Sequence, residues 1–211
     1  MINIKKIVTG KWRENCYIVC HKNKNALIID PGSNVGDIIQ YIEKNNLKIL
    51  AIFNTHTHYD HIGGVNDLKE KYQIPFFIHS KDEKLLKSAN LYRILFDGDE
   101  PIKIPLVDYY FDRIESPIEI GGFTIHVLFA PGHTEGSVCL RIEESLFSGD
   151  TLLKNNIGRI DLPGGDRLSL IKSLNMISKL PKELEIFPGH GKITTLDDEL
   201  KNNRKFIKVV K

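Results

Sequence analysis

Three histidines and one aspartate fall within six residues of the segment "NTHTHYDHIGG", at His56, His58, Asp60 and His61. Imidazole and carboxylate groups are good ligands for zinc and iron. His56 and His58 are two residues apart in a segment expected to be extended, so their side chains point to the same side. The spacing therefore predicts a metal site. Asp60 lies at the expected start of a helix, where the alternative role is helix capping alone.

One loop cannot complete a metal site, and three further segments offer ligands. His133 lies in "APGHTEGS", Asp150 in "FSGDT" and His190 in "FPGHG". Each follows an apolar segment and is flanked by Gly or Pro, which places it where a strand passes into a loop. A carboxylate has two oxygens and can contact two metals, so Asp150 is the predicted shared ligand.

The other histidines of interest have ordinary structural interpretations. His21 lies in the polar turn "HKNKN" and is expected to be solvated. His79 ends the segment "FFIHS" and is expected to cap the following helix. His126 lies in mid-strand, on the face opposite its apolar neighbours. None of the three is assigned to the site.

The elements that must position these ligands alternate between strand-like and helix-like patterns. Strands are predicted in the hairpin "NCYIVCHKNKNALIID" and in "LKILAIFNT", "IPFFIHS", "FTIHVLFA", "SVCLRIEESLFSGD" and "LEIFPGHG". Helices are predicted in "PGSNVGDIIQYIEKNN" after its turn, and in "DHIGGVNDLKEKYQ", "KDEKLLKSANLYRIL", "DRLSLIKSLNMISKLP" and "TTLDDELKNNRKFIKVV". This order favours a layered α/β arrangement with sheets inside and helices outside.

The composition is that of one ordinary globular domain spanning residues 1–211. Hydrophobic residues make up 41%, charged residues 27%, and the net charge of +2 is too even to favour nucleic acid or a membrane surface. No apolar run approaches the ~18 residues of a membrane span, and no signal peptide is recognised at the start. Three cysteines, Cys16, Cys20 and Cys139, are an odd number, which argues against a disulfide framework and predicts a cytoplasmic protein with buried free thiols.

In this order, "THTHYDHIGG", "PGHTEGS", "SGDTLL" and "FPGHG" resemble the motifs of the metallo-β-lactamase superfamily, and more narrowly of its glyoxalase II-like hydrolases. The resemblance extends from "NCYIV" to "PGHG" and is closest to the smaller, single-domain bacterial type. It implies an α/β fold, an αββα sandwich of two mixed β-sheets flanked by helices. It also implies a binuclear metal site at one edge of the sandwich.

The resemblance assigns seven ligands in two sets that share one aspartate: His56, His58 and His133 for the first metal, Asp60, His61 and His190 for the second, and Asp150 for both. The implied cofactors are two divalent metal ions, with zinc favoured and iron or manganese as alternatives.

A site of this kind would cleave a thioester such as S-lactoylglutathione, or a related acyl bond, by a hydroxide held between the metals. Asp60 would bind metal and also orient this hydroxide, and it is the predicted catalytic residue. A thiolate leaving group needs little help from an acid, and the sequence offers no separate acid. The predicted partner is therefore a small-molecule thioester or ester, with no nucleic acid and no membrane.

Two segments are expected to contact the substrate. Arg159 lies in "GRIDLPGGD", which resembles a loop near the substrate mouth of glyoxalase II-like enzymes. It would bind a substrate carboxylate or pair with Asp161. The segment "LYRILFDGDEPIKIPLVDYYFDRI" is a candidate lid whose aromatic residues, if they are not core, are Tyr92, Phe96, Tyr109, Tyr110 and Phe111. Only a short segment follows His190, whereas glyoxalase II proper has a basic helical extension there, so the resemblance leaves glutathione dependence open.

Three alternatives stay open. The first is a persulfide dioxygenase with a single iron, which shares this branch of the fold. The second is a nuclease-type member, against which the near-neutral charge argues. The third is a metal-binding module without activity, which would need a site closed to water.

Overall fold

The structure is a computed structural model that describes residues 2–210, and two six-stranded β-sheets form its centre. The first sheet comes from the amino-terminal part of the chain. Its strands are β1 (Ile2–Thr9), β2 (Glu14–His21), β3 (Asn25–Ile29), β4 (Lys48–Phe53), β5 (Phe76–Ile78) and β6 (Tyr109–Tyr110). They are neighbours in chain order. β1 to β3 are antiparallel, which confirms the predicted hairpin as β2 and β3, whereas β3 to β6 are parallel.

The second sheet comes from the carboxy-terminal part of the chain, which also contains a small separate hairpin. The strands here are β7 (Ile118–Ile120), β8 (Phe123–Phe129), β9 (Val138–Ile142), β10 (Ser145–Gly149), β11 (Leu152–Leu153), β12 (Asn156–Ile157), β13 (Glu185–Pro188) and β14 (Thr194–Thr195). The sheet has the order β14-β13-β10-β9-β8-β7, and β11 pairs with β12 outside it. Among the described strands of this sheet, only β10 and β13 are parallel neighbours, so this sheet is mixed like the first.

Helices cover the outer faces of both sheets. They are α1 (Val35–Lys44), α2 (Tyr59–Ile62), α3 (Val65–Tyr72), α4 (Glu83–Lys87), α5 (Ala89–Asp97), α6 (Arg167–Ile177), α7 (Leu196–Asn202) and α8 (Arg204–Val210). Within residues 2–210, none of these helices has the length and apolar character that crossing a bilayer requires.

The predicted helix after the histidine-rich loop is wrong in its extent, because it is divided into α2 and α3 at Gly63 and Gly64. The backbone N–H of Gly64 donates to the carbonyl of Pro31 at 2.9 Å. A Cβ on Gly63 would lie 2.8 Å from the carbonyl oxygen of Gly32. The two glycines therefore let this turn lie directly against the loop that follows β3.

Two other predicted helices are also divided. The segment that begins with Lys81 forms a 3₁₀ turn, α4 and α5, with the break at Ser88. The closing helix breaks at Asn203, whose backbone is extended. Asn203 is fully buried, donates to the carbonyl of Asn156 at 2.8 Å and accepts from the N–H of Phe206 at 3.1 Å. This side chain caps α8, and a continuous helix would lose both contacts.

The core explains why the central strands are apolar on both faces. In β2, Cys16 and Ile18 pack with α1 and α3 outside the first sheet, whereas Tyr17 and Val19 face the second sheet. Alternate residues of a strand point to opposite faces, and here both faces are covered. A third cluster packs α6 and α8 on the second sheet. The layers are thus helix, sheet, sheet, helix, which confirms the predicted fold class.

One edge of the sandwich gathers the ends of five strands. Asp30 follows β3, and the histidine-rich loop follows β4. In the second sheet, β8, β10 and β13 run in the same direction and lead into the segments with His133, Asp150 and His190. The N–H of Val138 donates to the carbonyl of Thr55 at 2.8 Å, so the two sheets meet directly at this edge.

Candidate metal centre

The predicted ligands lie together at this edge. Among residues 2–210, three groups each offer three ligand atoms within 4.8 Å of one another: His56 with His58 and His133, Asp30 with His56 and His61, and Asp60 with His61 and His190. The first and third groups are the two predicted histidine-containing sets. The second group adds Asp30, which the sequence analysis did not single out.

The first set is closely packed and buried. Nδ1 of His58 lies 2.9 Å from Nε2 of His133, and the ring centroid of His56 lies 4.9 Å from that of His58 and 4.8 Å from that of His133. A tetrahedral metal with bonds of 2.0–2.2 Å separates its ligand atoms by about 3.3 Å. The three imidazoles are therefore near the spacing that one metal ion needs.

The second set is similarly close and is more open to solvent. Nε2 of His61 lies 3.2 Å from Nε2 of His190, which lies 3.3 Å from Oδ2 of Asp60. The side chains of Asp60 and His190 are 20% and 26% exposed, whereas that of His61 is buried. A metal held here would face the solvent side.

Asp150 lies between the two sets. Its Oδ2 is 3.7 Å from Nε2 of His133, and its Oδ1 is 4.0 Å from Nε2 of His61. Oδ2 also lies 3.6 Å from Nε2 of His190, so this oxygen is within 4 Å of a histidine of each set. This geometry agrees with the predicted role of Asp150 as a shared ligand.

Backbone carbonyls orient two of the imidazoles. Nδ1 of His133 lies 2.9 Å from the carbonyl oxygen of Arg159, and Nδ1 of His190 lies 3.1 Å from that of Trp12. A carbonyl oxygen can only accept, so the proton of each neutral ring is on Nδ1. Nε2, which faces the other ligands, is left with its lone pair for a metal.

Asp30 orients two more imidazoles. Its Oδ2 lies 3.2 Å from Nδ1 of His61 and accepts from the hydroxyl of Thr55 at 2.6 Å. Since that hydroxyl donates to Asp30, it can accept at 3.1 Å from Nδ1 of His56. In the neutral ring of His56 the proton is then on Nδ1 and the lone pair on Nε2. The clue in the sequence is that Asp30 ends the apolar run "ALIID", as Asp150 ends "FSGD".

Orphaned polar atoms show that a metal fits. Nε2 of His56 and Oδ1 of Asp150 are buried without a hydrogen-bond partner within residues 2–210. Burying such atoms unpaired costs free energy unless something else binds them. A divalent ion accepts lone pairs from imidazole and carboxylate alike, so this donor set suits it.

The protonation states differ between the sets. Burial, together with the neighbouring His133, lowers the pKa of His58 to about 3, and burial also lowers the pKa of His56 and of His133. For His61, burial acts in the same direction, but Asp60 and Asp30 hold its pKa well above the ordinary value. The first set is therefore neutral and ready to bind a cation, whereas the second carries its positive charge until a cation replaces it.

Asp82 supports the ligand loops from behind and was also missed by the sequence analysis. Its carboxylate accepts from the N–H of Thr57 at 3.0 Å, the hydroxyl of Thr134 at 2.9 Å and the N–H of Gly136 at 2.7 Å. Thr57 lies between His56 and His58. Asp82 thus ties the histidine-rich loop to the loop that carries His133. Its position in a charged segment, "KDEK", gave no indication of this role.

A pocket of about 380 Å³ opens above the ligands. Besides five predicted ligands, the residues that line it are Trp12, Tyr59, Tyr92, Phe96, Leu153, Asn156, Ile157, Arg159, Leu162 and Pro163. The candidate lid is therefore only partly correct, since Tyr92 and Phe96 line the pocket. The others do not, because Tyr109 stacks on Phe77 at 4.9 Å and Phe111 is buried between the sheets.

Arg159 lies at the pocket but is paired with Asp161. Its Nε and Nη2 donate to the two oxygens of that carboxylate at 2.8 and 2.7 Å. This is the ion pair that the sequence analysis gave as the alternative to substrate binding.

The histidines outside the site are placed close to expectation. Nδ1 of His79 accepts from the N–H of Lys81 and so caps the 3₁₀ turn, and His126 is exposed on β8. His21 is half-buried with its ring 5.6 Å from that of Phe123, so it is less solvated than predicted.

The three cysteines are free, as predicted, with Cys16 and Cys139 buried and Cys20 half-buried.

Comparisons with known proteins agree with this architecture. The family model described as "Metallo-beta-lactamase superfamily" matches residues 9–190. The hydroxyacylglutathione hydrolase GloC of Haemophilus influenzae is 32% identical, over 96% of this chain and 97% of that protein. The family match and the ligand clusters define a metal-dependent hydrolase. The chain belongs to the metallo-beta-lactamase superfamily.

Two solved structures are similar throughout. The crystal structure of BLEG-1 B3 metallo-beta-lactamase has a TM-score of 0.91 and 35% identity, and the match covers 97% of this chain and 99% of that one. The crystal structure of TTHA1623 in a di-iron-bound form has a TM-score of 0.83 and 33% identity, and the match covers 95% and 99%.

Proposed function

We propose that this protein hydrolyses a thioester with two divalent metal ions. The observation that carries the proposal is the convergence of all seven predicted ligands, with Asp150 facing both sets. The similarity to GloC, a hydroxyacylglutathione hydrolase, supports a thioester of a hydroxy acid as the substrate class. Zinc is the favoured metal, and the similarity to a di-iron-bound structure keeps iron as the alternative.

The residues have separate tasks in this reaction. His56, His58 and His133 would hold one metal, Asp60, His61 and His190 the other, and Asp150 both. When bound, two such ions lower the pKa of water toward neutrality and polarise a carbonyl oxygen. The carboxylate of Asp60 lines the pocket and would orient the attacking water by accepting a hydrogen bond from it.

The residues around the pocket favour a leaving group that needs no proton. Apart from the predicted ligands, the described lining residues include no histidine, cysteine, lysine or glutamate. Tyr59 is a poor donor, because burial raises its pKa to about 12. A thiolate leaves without protonation, whereas the amine released from an amide must gain a proton. This argues for a thioester over a β-lactam, in spite of the similarity to BLEG-1.

The test combines metal analysis with an assay. The purified protein is analysed by plasma mass spectrometry and assayed for thiol release from S-lactoylglutathione and for cleavage of a chromogenic cephalosporin. We expect two metals per chain, thioester turnover, and loss of turnover in Asp150→Ala but not in His126→Ala, whose side chain is exposed on β8. One iron per chain with no thioester turnover would overturn the proposal in favour of persulfide oxygenation, and cleavage of only the cephalosporin would favour a β-lactamase.

A further inference from the structure

Three aromatic side chains, Trp12, Tyr92 and Phe96, form what we call the aromatic wall of the pocket. Trp12 lies in the turn between β1 and β2, and its indole N–H donates to Asp97, the last residue of α5, at 3.0 Å. Tyr92 and Phe96 stack on the same helix with ring centroids 6.3 Å apart. The wall is thus built from two elements that are tied together.

This wall leaves a large apolar surface open. Trp12 is 47% exposed and Phe96 is 52% exposed, although both line a concave pocket. The β11–β12 hairpin and the loop after it add the half-buried aliphatic side chains of Leu153, Ile157 and Leu162 to the lining. Clustered apolar surface beside a reactive centre is typical of a site that binds an apolar group.

The charges of the pocket do not suit an anionic ligand. Among the described lining residues outside the predicted ligands, Arg159 is the one that carries a permanent positive charge, and its Nε–Nη2 edge is held by Asp161. Beside the aromatic wall, the carboxylate of Asp97 lies 3.6 Å from Nζ of Lys11, so these two opposite charges offset each other. The arm of a glutathione thioester carries two carboxylates and one ammonium group, whereas the lining offers these two carboxylates one guanidinium group, which is already paired with Asp161.

We infer that the pocket binds the thiol arm of the substrate as an uncharged, apolar group, with Trp12 and Phe96 as specificity-determining residues. The inference rests on the thioester hydrolysis proposed above and narrows its substrate class. In the reaction, the oxygen of water bonds to the acyl carbon, the C–S bond breaks with its electron pair going to sulfur, and the departing thiolate gains a proton from the water. The products are a carboxylic acid and an apolar thiol. The glutathione thioester is then a poorer substrate that gains little from the aromatic wall.

A binding experiment tests the pocket without relying on turnover. Trp12 is the single tryptophan of the chain, so its fluorescence reports occupancy of the aromatic wall directly. The metal-loaded protein is titrated with two ketones that replace the thioester carbonyl, benzylthioacetone and S-acetonylglutathione. They differ only in the thiol arm. We expect benzylthioacetone to change the Trp12 fluorescence and to bind about tenfold or more tightly.

Variants on α5 locate the binding. Phe96→Ala should weaken the binding of benzylthioacetone about tenfold and that of S-acetonylglutathione far less. Leu95→Ala is the matched control, since Leu95 is 66% exposed and is not among the residues that line the pocket. We leave Trp12 unchanged because its indole is the fluorescent reporter of the titration. Equal affinities for the two ketones, or no response of Trp12 to benzylthioacetone, would overturn the inference.

Kinetics separate this inference from the proposed function. The lactoyl thioester of benzyl mercaptan and S-lactoylglutathione are compared at equal metal loading. A higher kcat/KM for the benzyl compound supports the inference if Phe96→Ala removes this preference by raising the KM for that compound. A preference for S-lactoylglutathione overturns it and leaves thioester hydrolysis standing. Hydrolysis of neither compound overturns the proposed function, and the fluorescence titration still decides which arm the pocket selects.

Discussion

Oδ2 of Asp30 lies 3.2 Å from Nδ1 of His61, so a buried carboxylate at the end of β3 orients an imidazole from the start of α2. The same carboxylate also accepts from the N–H of Thr55 at 2.7 Å and from its hydroxyl at 2.6 Å. Asp30 thereby connects to His56 as well, through the Thr55 hydroxyl. Asp30 is not a predicted ligand, but it orients the ring of His56 in the first set and that of His61 in the second.

We expect Asp30→Ala to lower metal affinity about 10- to 100-fold, the usual effect of losing such a partner. His61 would no longer be held with its proton on Nδ1. The measurement is competition with a chromophoric chelator. Asp37→Ala is the control, because Asp37 is exposed on α1, and it should bind metal like the wild type. Unchanged affinity in both variants would show that Asp30 does not orient the ligands.

Gly189→Ala should reduce the metal content while leaving the fold intact. A Cβ at this position would collide with Oδ1 of Asp150 and would lie 2.8 Å from Cε1 of His61. Both ligands would have to move. Gly36→Ala is the matched control, since nothing lies within 4 Å of its added Cβ. The metal content of the two purified variants, measured by plasma mass spectrometry, checks this, and full loading of Gly189→Ala would contradict it.

Asp82→Ala should destabilise the metal-free protein by about 3 kcal/mol, because it leaves the buried N–H groups of Thr57 and Gly136 without an acceptor. Denaturant unfolding after chelation measures the change. Asp67→Ala removes an exposed aspartate from the first turn of α3 and should cost less than about 1 kcal/mol. A similar loss in both variants would mean that the contacts of Asp82 are not responsible.

The stability contributed by Asp82 should fall as the pH rises. Burial raises its pKa from 3.8 to about 6, so the folded state binds the proton more tightly than the unfolded chain. The contribution is present below about pH 4 and is lost as the pH passes through about 6. Between about pH 5 and about pH 7, the wild type should lose about 1 kcal/mol relative to Asp82→Asn. Parallel pH profiles of unfolding for the two proteins would contradict this.

Metal removal should lower the melting temperature. A metal that binds only the folded site adds about 2.7 kcal/mol at a hundredfold excess over its dissociation constant. Asp150→Asn, which lacks the shared carboxylate charge, should show a much smaller difference between chelated and metal-loaded samples. Differential scanning calorimetry provides the measurement, and an equal shift in both proteins would exclude Asp150 as a shared ligand.

Residue types and their order along the chain were enough to identify the side chains that could bind metal and to place them at strand ends. His56, His58 and Asp150 are recognisable because ligand chemistry depends on residue type, and because the loop position follows from the apolar strand before it. The layered fold was also predictable, since strand and helix patterns are local properties of the chain.

The orientation of the ligands and the residues that line the pocket follow from contacts between segments that are distant in the chain. Asp30 reaches His61, and the carbonyl of Trp12 reaches His190, because sheet pairing brings distant segments together, and no local pattern records that pairing. The break at Gly63 has the same origin, since close contact with the loop after β3 outweighs local helix propensity. Pairing and packing depend on which surfaces are neighbours in space, whereas periodicity describes one element at a time.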